Sequence, residues 1–127
     1  MHNMTDREQF LSDVLTTAVE GGINYWSAVS NYRWQDANGN AVPASVTVHE
    51  MDDELGGYKE PGVPITTKEI GAAIRRIMDI NDEIKYLGNH VRKEVFAASM
   101  DNDAGDIDAD IADTIMQVAV LGEVRYG

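Results

Sequence analysis

Apolar side chains recur at helical spacing in four stretches of the chain. Phe10, Leu11, Val14, Leu15 and Ala18 form one stripe, opened by Thr5 and Glu8 at capping-box spacing and followed by Gly21-Gly22 as a stop. They predict a helix over about residues 5–20. Thr66 and Glu69 repeat the box, and Ile70, Ala73, Ile74 and Ile77 carry the stripe of a helix over about 67–79. Ile84, Leu87, Val91, Val95 and Ala98 continue it. Asn81 or Asp82 is a ready cap, so a separate helix over about 82–99 is favoured over one kinked rod. Ile111, Ile115 and Val118, with Leu121 nearby and Gly122 beyond, predict a last helix over about 108–121.

Between the first two helices the period changes. Trp26, Ala28, Ser30, Tyr32 and Trp34 share one parity, and Val46, Val48 and their neighbours alternate likewise. The turn cluster Asp36-Ala37-Asn38-Gly39-Asn40 joins the two runs as an antiparallel hairpin over about 24–34 and 45–51. Periodicity leaves a helix over 23–30 as the alternative. Gly56-Gly57, Pro61-Gly62 and Pro64 mark 52–64 as loop, and Glu123 to Tyr126 is a candidate short strand. A lone hairpin is unstable in water, so it must pack on the helices. The expected architecture is α+β, one domain over 1–127, with Trp26 and Trp34 in the core and Tyr25, of opposite parity, at the surface.

Composition narrows the function. The 127 residues hold 22 acids, 10 bases and no cysteine, a net charge of -12. That excludes a disulfide scaffold, a thiolate metal site and a cysteine nucleophile, and argues against direct nucleic-acid binding. No apolar run is long enough to span a bilayer, and the start lacks the basic and apolar regions of a signal peptide, which points to the cytoplasm and no membrane partner.

The charge is uneven. Asp101, Asp103, Asp106, Asp108, Asp110 and Asp113 place six acids and no base within residues 101–113. Calcium-loop registers begun at Asp101 or Asp106 both fail, lacking the turn glycine at position 6 and the glutamate at 12. The cluster therefore reads as a solvated loop and helix start, where the macrodipole favours acids, with no metal or cofactor expected. His2, His49 and His90 lie in no metal-ligand spacing, and Ser12, Ser27, Ser30, Ser45 and Ser99 in no nucleophile-elbow context. Lys68, Arg75-Arg76, Lys85 and Arg92-Lys93 are the candidate basic patch for a phosphate-bearing ligand.

Two stretches carry a resemblance. Leu15-Thr16-Thr17-Ala18-Val19-Glu20-Gly21-Gly22-Ile23-Asn24-Tyr25-Trp26 resembles a segment of small hypothetical proteins of bacteriophages and actinobacteria. So does the end, Asp108 to Asp113 through Gly122-Glu123-Val124-Arg125-Tyr126-Gly127. The resemblance implies an origin, with a host-cell cytoplasm as the setting, and implies that the two segments form one spatial unit. It implies no chemistry.

Three functions from different classes follow. The first is a non-enzymatic phage-type accessory protein that binds a basic host protein, imitating the phosphate array of nucleic acid to modulate host or defence functions. Its expected contact residues are Asn24, Tyr25, Asp52, Asp53, Asp108, Asp110 and Asp113. The second is a nucleotide-binding or sequestering protein using Gly21-Gly22, Asn24, Tyr25 and Arg75-Arg76. The third is a divalent-metal enzyme built on the aspartates. A homo-oligomer is compatible with the amphipathic helices, without a heptad register to specify it.

Overall fold

The computed structural model describes residues 4–127. The hydrophobic stripes become four α-helices, and the alternating runs become a three-stranded antiparallel sheet of order β1-β2-β3. Helix α1 spans Asp6–Thr17, β1 Ser27–Gln35, β2 Ala41–Glu50, β3 Val63–Thr66, α2 Thr67–Met78, α3 Asn89–Asp101 and α4 Ala109–Leu121. The fold is α+β. Among the described residues no helix is long and apolar enough to cross a membrane.

Both capping boxes form. The Glu8 amide donates to Thr5 Oγ1 at 3.1 Å and the Thr5 amide to Glu8 Oε1 at 3.1 Å. The Thr66 amide likewise donates to Glu69 Oε1 at 2.8 Å. Each box satisfies amides that a helix start leaves without partners. Asp108 caps α4 by accepting from the Ile111 amide at 2.8 Å, and Gly122 ends it in the left-handed region at φ 77°.

Helix α1 does not simply stop at the glycine pair. Its chain continues as one wide turn, Ala18–Gly22, in which the Ile23 amide donates to the Ala18 carbonyl at 3.0 Å. A Cβ on Gly22 would stand 2.8 Å from the Ala109 carbonyl oxygen, so this glycine permits the turn to rest directly on the start of α4. Gly21 meets nothing closer than 3.9 Å.

The hairpin is longer than the alternation suggests, and it carries an irregularity. Pairing runs from Ser27↔Glu50 to Ser30↔Thr47, then shifts before Arg33↔Ser45. Asn31, at φ 53°, sits in that shift. An inserted residue turns the rest of the strand over. Trp26 is fully buried, whereas Trp34 is 49% exposed and lines a cleft beside Gln9, Asp13 and Thr16 of α1. The expectation that both tryptophans are core holds for Trp26 only.

The third strand lies where breakers predicted a loop. Val63–Thr66 pairs with Ser45–Val48, and Pro64 is tolerated because β3 is an edge. The tail after Gly122 forms no strand. The predicted helix over 82–99 also starts late, at Asn89. Asp82 is occupied as a partner of Arg76, which donates from Nε to Oδ2 at 3.0 Å. The Arg92 guanidinium donates to the carbonyls of Ile77 at 2.7 Å, Asp79 at 2.6 Å and Asp82 at 2.9 Å, folding that segment back on the end of α2. Ile84 still reaches the core from this irregular stretch.

One face of the sheet, carrying Ala44, Val46, Val48 and Ile65, packs against the helices around Phe10, Leu15, Ile70, Ile74, Ile77 and Ile115. The other face is polar, as an antiparallel sheet covered on one side allows.

Candidate functional site

Two polar side chains interrupt the apolar stripe of α4. Asp113 and Gln117 are one helical turn apart and both are buried. Such groups must find partners inside the fold. Asp113 Oδ1 accepts from Trp26 Nε1 at 2.8 Å and from Gln117 Nε2 at 3.0 Å, and Oδ2 accepts from the Tyr25 hydroxyl at 2.5 Å. Burial, reinforced by that carboxylate, pushes the Tyr25 phenol well above its ordinary range.

Gln117 holds the end of the chain. Its Oε1 accepts from the amides of Arg125 at 2.8 Å and Tyr126 at 2.9 Å, and its Nε2 donates to the Tyr126 carbonyl at 3.1 Å. The Tyr126 ring then stacks on Trp26, with centroids 5.5 Å apart and planes within 6°.

Glu50 completes the arrangement. It follows Ala44, Val46 and Val48 on the buried parity of β2, so its carboxylate meets the core rim and needs donors. It accepts from the Tyr126 hydroxyl at 2.6 Å, Arg125 Nη1 at 2.8 Å and Lys59 Nζ at 3.0 Å. Burial alone would raise the Glu50 carboxyl, but these three hydrogen bonds outweigh it and hold the group below its usual range. Burial and the Glu50 contact push Tyr126 up to about 12.

This seam joins the segments Leu15–Trp26 and Asp108–Gly127, and the acids lie on both sides of it. Asp110 is exposed, and its charge acts on Tyr25; Asp53 is exposed, and its charge acts on Tyr126. A cleft of about 360 Å³ opens beside Tyr126 and Arg125, with Asp52, Asp53 and Glu54 on its wall. Asp52 also shapes its loop, accepting from the Glu54 amide at 3.1 Å and the Leu55 amide at 3.0 Å. Asn24 and Asp108 are exposed, and Tyr25 is 53% exposed. Asp113 differs from the expectation. It is 8% exposed and turns both oxygens inward, so it supports the face without presenting charge from it.

The other half of the acidic run lies elsewhere. Asn102, next to Asp101 and Asp103, receives Arg7 Nη1 at 3.0 Å, which ties that loop to the start of α1. Asp103 accepts from the Gly105 amide at 2.9 Å. Among the described residues no group of three or more histidine, aspartate or glutamate side chains is arranged to hold a metal ion.

The residues of the nucleotide reading are not brought together. Gly22 touches Ala109 and Asp113 at the start of α4, while Arg76 Nη1 donates to the Gly122 carbonyl at its far end. A 13-residue helix separates them by ~18 Å. Arg75 acts on Arg7, at the opposite end of α1 from the glycine pair. The basic patch is also partly spent, since Arg76 and Arg92 serve internal acceptors.

Sequence reasoning missed Glu50, Gln117 and Tyr126 as members of this site. The signals were an acid on the buried parity of a strand and a polar pair on an apolar helical stripe. No protein-family model matches the chain, and neither a curated protein nor a solved structure is significantly similar to it.

Proposed function

We propose that the protein acts by binding a basic macromolecule through the acidic face around Tyr25 and Tyr126, with no chemical step at that face. A basic host protein is the partner if the chain is phage-encoded, and a surface that normally receives nucleic acid is the natural target. The observation that carries this reading is the placement of charge. Lys59 and Arg125, the cations lining the cleft beside Tyr126, both engage Glu50, while Asp53 and Asp110 remain exposed on either side of two tyrosines. Aromatic rings flanked by unneutralised acids suit a partner rich in arginine and lysine.

The test is capture of partners from host lysate on the immobilised protein at two salt concentrations. Binding that falls steeply with salt, and falls again in an Asp53→Asn/Asp110→Asn variant, supports the reading. Binding to a basic partner that barely changes with salt, or that survives both substitutions, defeats it.

A further inference from the structure

On the polar outer face of the sheet, Ser30 and His49 form a hydrogen-bonded pair that the acidic face does not involve. Their strands pair as Ala28↔His49 and Ser30↔Thr47, so Ser30 and His49 are diagonal neighbours on one face. Ser30 Oγ lies 2.8 Å from His49 Nε2. His49 Nδ1 lies 3.0 Å from the Lys59 carbonyl oxygen. A carbonyl only accepts, so Nδ1 carries the proton and Nε2 presents its lone pair to the Ser30 hydroxyl. The orientation is that of a general base set against a nucleophile, with a third group fixing the ring.

The surroundings reinforce it. A Cβ on Gly62 would fall 2.7 Å from His49 Cε1 and 2.8 Å from Nδ1, so the loop before β3 closes on the imidazole edge and holds it. His49 is 9% exposed, whereas Ser30 is open to solvent. Among the described residues the exposed Glu60 is the one acid beside the ring, with Oε2 3.5 Å from Nδ1. The register shift begins immediately after Ser30, leaving Asn31 and Tyr32 without Cα partners on β2. Bulges of this kind re-aim side chains beside reactive sites.

We infer that Ser30 is a nucleophile activated by His49, able to accept an acyl group from a carboxylic ester reaching the outer face of the sheet. Ser30 Oγ forms a bond to the ester carbonyl carbon as its proton passes to His49 Nε2. The ester C–O bond breaks, and the leaving alcohol takes that proton. Water, deprotonated by the same nitrogen, then releases the carboxylic acid and restores Ser30. The Lys59 carbonyl is a positioning group only.

The test uses the full chain and p-nitrophenyl acetate, with release of nitrophenolate followed and the acetylated residues mapped by peptide mass spectrometry. Acetylation concentrated on Ser30, with a rate that rises as imidazole loses its proton, supports the inference. His49→Gln is expected to slow it by ~10²–10⁴-fold, with the fold checked by circular dichroism, and Ser30→Ala to abolish it. Ser45 and Thr47 share the face and serve as internal comparisons needing no variant. Ser30 acetylation no faster than theirs, or unchanged in a folded His49→Gln protein, overturns it. Either result leaves the binding proposal untouched, because the two sites share only Lys59, through its side chain in one and its backbone carbonyl in the other, and neither His49→Gln nor Ser30→Ala alters it.

Discussion

The indole nitrogen of Trp26 donates to the carboxylate of Asp113 at 2.8 Å, joining the lead-in to the first strand to the last helix. The same carboxylate accepts from Tyr25 and Gln117, so its removal leaves three donors to find water or go unpaired. Asp113→Ala is therefore expected to destabilise the fold by ~1–3 kcal/mol. Urea unfolding followed by tryptophan emission measures it. A Trp34→Phe background isolates the Trp26 signal, because Trp34 is half exposed and Trp26 fully buried. A cost near zero would mean the network is a bystander to stability.

The glycine pair provides a paired experiment. Gly22→Ala places a methyl group against the Ala109 carbonyl at 2.8 Å, whereas Gly21→Ala meets only a side chain at 3.9 Å. The first is expected to cost ~1–3 kcal/mol through a forced shift of α4. The second is expected to be neutral or slightly stabilising. Thermal unfolding of the two variants reads the contrast, and equal melting temperatures would contradict the close approach.

Glu50 and Tyr126 set opposite pH limits on one contact. The Glu50 carboxyl is lowered in the fold, so its contribution is present above its unfolded value and lost as pH falls through the lowered one. Tyr126 is raised from near 10 to about 12, so its contribution is present below the former value and lost as pH rises through the latter. A tyrosinate absorbance titration is expected to show late ionisation. In Glu50→Gln, part of the delay should disappear, while the share due to burial persists. A titration identical in both proteins would deny the Tyr126–Glu50 bond any role.

Arg92 makes a geometric prediction. Its guanidinium reaches three carbonyls at once, which an ammonium on a flexible stem does not reproduce. Arg92→Lys and Arg92→Ala should therefore both destabilise, by ~1–3 kcal/mol for the alanine variant, with lysine recovering only part. Faster amide exchange across 79–88 is the accompanying signature. Full rescue by lysine would show that charge, not the fork, matters.

What the sequence reveals divides along the range of the interactions. Thr5–Glu8, Thr66–Glu69, Asp108 and Gly122 act within one helical turn, and each forms where the spacing puts it. β3 was hidden because its edge position excuses Pro64, and an edge is defined only by the strand beside it. The register shift at Asn31 turns Trp34 off the outer face that Ser30 occupies and toward α1, where it lines an open cleft and stays half exposed, which alternation alone does not reveal. The start of α3 moved because Arg92 and Arg76 claim the segment that looked like its cap. At the acidic face, the exposure of Asp53, Asp108 and Asp110 followed from composition. The inward turn of Asp113 was legible only as a polar residue four positions from Gln117 on an apolar stripe.

The stacking of Tyr126 on Trp26 has a consequence for how the molecule is made. A ring from near the beginning of the chain meets its last partner near the end. Emerging from the ribosome, the first helix and the hairpin wait with an indole and a tyrosine hydroxyl lacking their acceptor until α4 has followed. Long-range closures of this kind come late in folding. The domain thus closes only once α4 and the segment up to Tyr126 are available, and fragments ending before α4 should stay open and aggregation-prone.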